Sequence, residues 1–420
     1  TQVRNLAVRG DSVGLFLSST QDVVLDRLWV HDNASRGINV QDTVGPTGIT
    51  ISGTLIEQNH ELGVFVSGSD ASIEGTVVRA TLPQAPDQTF SQGIAIQTDS
   101  DTAKRASVML RASLVEQNHQ LGVLVSGSDA TIEGTVVRTT LPRASDQTAG
   151  QGIAIQNTPY TAERASVTLR ASLVEQNHQT GVLVVGSDAT IEGAVVRATL
   201  PKAADQAFGR GIGIELDPDA SERASVTLRA SLVEQNHELG VFVLGSDVTI
   251  EGTVVRTTLP RVSDQTAGQG IAIQDHPQTA ERASVTLRAS LVEHNHELGI
   301  YLLGSDAIIE GTVVRTTLAQ ASNDLFGDGI VIVVPANPAS ALISSCLVES
   351  SARAGLAVFG ATARLAATAL ECNVIDLDAE SLNGVAGTFE DLGYNRCGCG
   401  SESAVCHAVS TGLEPPPPVE

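Results

Sequence analysis

One four-residue phrase, Glu-Gln-Asn-His, returns at residues 57–60, 116–119, 175–178 and 234–237, and once more as Glu-His-Asn-His at 293–296. The interval is 59 residues every time. Residues 164–178 and 223–237 are identical, and 105–119 and 282–296 each depart from them at one position, Met109 and His294. Self-similarity at a fixed period restricts the chain to a stacked array in which each unit buries its apolar face against the next.

A finer beat lies inside the period. A tetrad of Gly, apolar, any residue, apolar appears thirteen times from Gly14 to Gly355, and from Gly63 to Gly329 its spacing alternates between 30 and 29 residues. Each 59-residue unit is therefore two coils. The second coil carries an extra loop of about eleven residues, at 82–92, 141–151, 200–210, 259–269 and 318–328. Short β-branched runs bounded by Gly read as strands of a solenoid. The stretch around Leu169 has helical propensity, but its partner coil places β-branched residues and Gly at the matching positions, so the shared conformation is a strand. Its Leu169, Leu173, Asn177 spacing does not fit a leucine-rich repeat.

The Asn-x₃-Gly-Ile/Val-x-Val/Ile signature, as in Asn59 to Val66 and Asn33 to Val40, resembles the right-handed parallel β-helix repeat of the pectate-lyase-like superfamily. The resemblance, over roughly residues 3–363, implies an all-β, single-stranded right-handed parallel β-helix of about thirteen coils. It also implies that Asn59, Asn118, Asn177, Asn236 and Asn295 turn inward and bond the backbone of adjacent coils. Aromatic residues are only 3 % of the chain, so aliphatic side chains must fill the interior.

Aligned coils turn the repeated charges into columns. One runs Glu57, Arg79, Glu116, Arg138, Glu175, Arg197, Glu234, Arg256, Glu293, Arg315, Glu349, and a second, in opposite phase, runs from Glu74 and Arg111 to Arg288 and Glu310. Sign alternates at each step, so every ion is expected to pair with both neighbours and to penalise a slipped register. His60, His119, His178, His237 and His296 form a column on alternate coils, roughly 10 Å apart, too far to share a metal, and read as solvated turn residues. Only His294 and His296 sit close enough in one coil to form a metal pair.

The five cysteines lie at 346, 372, 397, 399 and 406. Terminal clustering favours disulfides among Cys372, Cys397, Cys399 and Cys406 in an oxidising compartment, with Cys346 a free buried thiol. The metal alternative is weaker, because Cys397-Gly-Cys399 lacks ligand spacing and His407 is the one nearby imidazole. We therefore divide the chain into a β-helix at 1–363, a disulfide-containing C-terminal cap at 364–409 and a proline-rich tail at 410–420. The amino-terminal end has no comparable cap, and further residues or a partner are expected there.

A net charge of −23 disfavours a nucleic-acid partner, and no run reaches the roughly 18 apolar residues of a membrane span. The pattern points to a secreted or cell-surface binding or structural protein that presents its loops to a polysaccharide, a surface or a protein. The recurrent polar members of those loops are Asp87, Gln88, Asp146, Gln147, Asp205, Gln206, Asp264 and Gln265. The tetrad's third position points outward yet stays apolar over ten coils, with Phe65, Phe242 and Tyr301 among its bulky members. Either the loops bury this stripe or a partner docks on it. The alternative function, implied by the superfamily, is a polysaccharide lyase or glycoside hydrolase. The superfamily's Asn-Thr-Asp, Asp-Asp and Gly-His-Gly hydrolase motifs do not occur, the two lysines, Lys104 and Lys202, lie in loops, and no catalytic residue is assigned. Calcium is the one cofactor the pattern leaves open, at Asp99 with Asp101 or Asp217 with Asp219, although loop aspartates more often serve turns.

Overall fold

The computed structural model describes residues 1–84, 87–159, 161–334, 337–400 and 404–419. It falls into two compact units, Thr1–Gly209 and Arg210–Glu420. Each is a right-handed parallel β-helix, and every strand pair within it is parallel.

Three sheets alternate along the chain in both units. One is made of five-residue strands such as Ser166–Arg170, one of three-residue strands such as Leu173–Glu175, and one of tetrad strands such as Gln151–Gln156. Their registers reproduce the coil alignment, with Val167 beside Ala130 and Ala189, and Val174 beside Val137 and Val196. Alternation in the strands sends Ile, Val and Leu to the axis, where Val64, Val66, Ile73, Ile132, Val137, Ile250 and Ile300 are fully buried. Among the described residues each unit holds seven tetrad strands. The tetrad foretells thirteen coils; the fourteenth such strand is Ile375–Glu380, where Asp376 stands in register with Gly355. Strands of the other two sheets also continue beyond residue 364, to Thr388–Asp391 and Arg396–Gly398.

The Asn ladder sits where the resemblance implies. Asn177 Nδ2 donates to the Val137 carbonyl at 3.1 Å, and Thr140 N donates to Asn177 Oδ1 at 3.0 Å. Asn118 and Asn295 repeat this with Val78 and Thr81, and with Val255 and Thr258. The ladder also explains the glycine that leads each tetrad. A Cβ on Gly152 would lie 2.6 Å from the Gly181 carbonyl and 2.7 Å from Asn177 Nδ2, closer than any side chain can pack.

The charge columns pair in one direction, not two. Arg79 bonds Glu57, Arg138 bonds Glu116, Arg197 bonds Glu175, Arg256 bonds Glu234 and Arg315 bonds Glu293, always 22 residues back. The opposite-phase column pairs Arg111 with Glu133, Arg170 with Glu192, Arg229 with Glu251 and Arg288 with Glu310. Among the described residues of these two columns, only Arg256 also approaches a second carboxylate, Glu293, at 3.9 Å. The expectation of pairing to both sides is thus corrected: one guanidinium fork grips one carboxylate firmly, and the link stays inside the insert-free step between coils. A third column, absent from the sequence reading, joins Arg164 to Asp188 and Arg223 to Asp247.

Cys372 bonds Cys399 and Cys397 bonds Cys406, while Cys346 is free and buried. The first bridge ties the strand ending at Glu371 to its neighbour ending at Gly398. Burial pushes the Cys346 thiol up, which suppresses its reactivity.

Candidate binding surface

Past its first strand, Val13–Ser18, where Phe16 is exposed, the tetrad sheet differs from the other two in being largely buried on both sides. Five-residue strands show alternate exposed and buried positions, whereas Leu121–Ser126 and Leu298–Leu303 are buried at every residue. Two rows of loops flank this sheet. The inserts precede each second tetrad strand, and shorter turns such as 98–106 and 275–283 follow it.

The second to fifth inserts share one backbone turn. In the second, Arg143 N bonds Thr148 O, Gln147 N bonds Arg143 O, and Asp146 Oδ1 accepts Thr148 N at 3.0 Å and Thr148 Oγ1 at 2.7 Å. The fourth repeats these contacts at Arg261, Gln265, Thr266 and Asp264. Gln147, Gln206 and Gln265 each turn the side-chain amide back onto carbonyls of their own loop, at residues 143–144, 202–203 and 261–262. Asp87 accepts from Thr89 N and Asp205 from Ala207 N and Lys202 Nζ, and Gln88 N donates to Gln84 O. All eight residues are exposed, yet their carboxylates and backbone turns shape the loop before any ligand arrives. Hydrogen bonds from Thr148 hold the Asp146 carboxyl below its usual range, and Thr89 and Lys202 do the same for Asp87 and Asp205.

The histidine column is not solvated turn. Each imidazole is partly buried and contacts the carbonyl at the start of an insert through Nδ1: His60 to Pro83 at 2.9 Å, His119 to Pro142 at 2.9 Å, His178 to Pro201 at 2.8 Å, His237 to Pro260 at 3.0 Å and His296 to Ala319 at 3.2 Å. A carbonyl only accepts, so Nδ1 carries the proton. These rings are bolts that pin the comb of inserts to the helix wall. A second anchor lies below: Glu238, 2 % exposed, bonds Arg210 at 2.8 Å and Arg261 of the fourth insert at 3.3 Å. Glu297 accepts Ala267 N and Gln269 Nε2, and Arg353 grips the buried Asp328. Burial raises Glu297 and Asp328 above the usual carboxylate range despite these partners. The exchange of Arg, Gln and Asp before the tetrad against Glu and Arg on the facing turn was a readable signal of these pairs.

The apolar stripe is covered. Phe65 is 9 % exposed, Phe242 2 % and Tyr301 0 %. In the first unit Phe65 packs with Leu62, Ala95, Leu121, Leu124 and Ala154, and the Arg36 guanidinium lies 4.5 Å over its ring. In the second unit the cover is largely the chain's own tail. Val409 pairs with the strand Ile375–Glu380, Thr411 bonds Asp378, and Gly412 N bonds Glu380. Tyr301 Oη then donates to the Pro416 carbonyl at 3.3 Å, and Gln274 meets Val419. Leu413, Val419 and the insert residue Phe326 pack on the cluster formed by Phe242, Ala272, Tyr301 and Val331.

The candidate calcium aspartates serve turns. Asp99 Oδ1 accepts Asp101 N and Thr102 N, and Asp217 Oδ1 accepts Asp219 N and Ala220 N; His276 Nδ1 fills the same role for Gln278 N and Thr279 N. Among the described residues no three His, Cys, Asp or Glu gather to hold a metal ion, and no helix is long and apolar enough to cross a membrane.

No sequence family model matches this chain, and no curated protein matches it. Its fold is similar to that of Vag8 in the Vag8–C1 inhibitor complex, with TM-score 0.55, 13 % identity, and coverage of 95 % of this chain and 91 % of that one. It is also similar to the periplasmic alginate epimerase AlgG (TM-score 0.51, 10 % identity, 91 % and 78 % covered) and to tailspike protein 3 of bacteriophage CBA120 (TM-score 0.51, 10 % identity, 95 % and 60 % covered). At such identities the likeness is one of fold, and the class it defines is the parallel β-helix protein.

Proposed function

We propose that this is an extracellular or cell-surface binding protein whose insert loops contact a polymeric ligand, a polysaccharide first and a protein second. The observation that carries the proposal is the preformed loop itself, copied at two-rung intervals and bolted down by a histidine in every copy. A repeated rigid element suits a repeated ligand, because each further contact is made at high effective concentration. Catalysis instead needs one unique constellation, and the loop carboxylates that recur are spent on their own turns. The two disulfides fit an oxidising compartment. That similar folds occur in a tailspike, an epimerase of alginate and a complex with a protein inhibitor supports both ligand classes.

The test is retention of neutral and acidic polysaccharides on the immobilised chain, with and without calcium. Replacing the exposed tips 144–147 and 203–206 by Gly-Ser segments of equal length should reduce retention at least tenfold. Undiminished retention rejects the comb. Release of shortened or unsaturated sugar products favours the lyase or hydrolase reading over ours.

A further inference from the structure

The tail's seat in the second unit has a duplicate in the first. The hexapeptide Gln-Gly-Ile-Ala-Ile-Gln forms the tetrad strand at 269–274, and the same six residues form those at 92–97 and 151–156. In the second unit the last Gln of the hexapeptide, Gln274, clamps the backbone of Val419, donating Nε2 to its carbonyl and accepting its N–H, both at 3.0 Å. This contact follows a run of four prolines, whose extended form offers carbonyls without internal partners. In the first unit the corresponding residues, Gln97 and Gln156, are partly exposed, and their amides have no partner among the described residues.

Those two amides line a pocket of about 390 Å³ with Thr98, Asp99, Ser126 and Pro159. Its place matches the site beyond Gln274: the pocket lies over Ser126, between the strands ending at Gln97 and Gln156. Apolar floor continues beside it, since Gln156 stands in register with the partly exposed Val185, and Ala154 with Leu183. Two elements differ. Leu124 and Leu183 stand where the second unit has Tyr301, so the hydroxyl is absent and the partly exposed Leu183 is the apolar contact left for a pyrrolidine ring, and Ser126 stands beside Gln97 and Gln156 where Leu303 stands beside Gln274.

We propose that this pocket binds an extended proline-rich peptide of a partner chain, in which a proline run is followed by an apolar residue with a free main-chain N–H. The Gln amide reads that residue, because only a non-proline supplies the donor that its Oε1 accepts. This site is separate from the insert comb and stands whether or not the comb binds a polysaccharide.

The probe is a labelled peptide, Leu-Glu-Pro-Pro-Pro-Pro-Val-Glu, titrated into the full chain, whose second-unit seat is already filled by its own tail. We expect saturable binding that weakens about tenfold or more in the Gln97→Ala, Gln156→Ala variant, through loss of paired hydrogen bonds. Replacing the peptide's Val by Pro should weaken it equally while leaving the protein untouched, so misfolding of the variant cannot mimic the result. Absence of saturable binding at millimolar peptide, or binding indifferent to both changes, overturns the proposal.

Discussion

Gln274 holds Val419 by both main-chain groups, although 145 residues separate the two in sequence. The clamp fixes the end of a tail that covers Tyr301 and Phe242. Two neutral hydrogen bonds at about 0.5–1.5 kcal/mol each set the scale, so Gln274→Ala should destabilise tail docking by about 1–3 kcal/mol. Hydrogen exchange of residues 409–419 should rise in the variant while the strand 269–274 stays protected. Unchanged exchange in the tail would mean that the remaining contacts, of Val409, Thr411, Gly412, Leu413 and Tyr301, hold it without the clamp.

The Asn ladder is a structural commitment, and its loss should be costly. Asn177→Ala leaves the Val137 carbonyl and Thr140 N–H buried without partners. Each such group costs about 1–3 kcal/mol, so a loss of about 2–6 kcal/mol is expected in urea unfolding. A loss under 1 kcal/mol would show that water enters the rung and replaces the side chain.

The histidine bolts should act on loops rather than on the helix. His178→Ala frees the Pro201 carbonyl, and we expect faster proteolysis within 200–209 with a change in global stability of under about 1 kcal/mol, as the ring is only partly buried. Cleavage at the wild-type rate would show that the salt bridge of Lys202 with Asp205 suffices to hold the loop.

Acid should loosen the comb at a definable point. Asp146 is depressed below 3.8 by hydrogen bonds from Thr148. A depressed carboxylate contributes order that is complete above its unfolded value and is lost as pH falls through its folded value. The loop 141–151 should therefore keep its exchange protection, after correction for intrinsic rates, at pH 5 and lose it only below 3.8. Loss of protection between pH 5 and 7 would contradict this assignment.

At the C-terminus the oxidised protein should show a single titratable thiol on denaturation, that of Cys346. Replacing Cys372 and Cys399 by Ser opens a 27-residue span and should cost about 3–4 kcal/mol by chain entropy. Three or more free thiols in secreted protein would reject the stapled end.

What the sequence made legible was whatever repeats locally. Gly152, Asn177 and the alternating Arg and Glu recur in step with the coils, so strand positions, ladder and columns follow from alignment alone. The direction of ion pairing did not follow, because in the aligned columns Glu116 and Glu175 each lie one coil from Arg138, while among the described residues geometry brings only Glu116 within reach. The role of His178 stayed hidden because its partner is a main-chain carbonyl, which leaves no mark in side-chain pattern. The docking of residues 409–419 was invisible for a different reason: a proline run has no periodicity, and its partners Tyr301 and Gln274 are distant in the chain.

The central claim is that recognition is repeated rather than unique, and the length dependence of ligand binding tests it most directly. Neighbouring inserts within a unit are two rungs, roughly 10 Å, apart. For a polysaccharide that the immobilised chain retains, Kd measured against purified oligosaccharides of increasing length should fall steadily as further loops are engaged, with no products formed. A Kd that stops changing once an oligosaccharide fills a single loop's reach would contradict the account and point to one unique site.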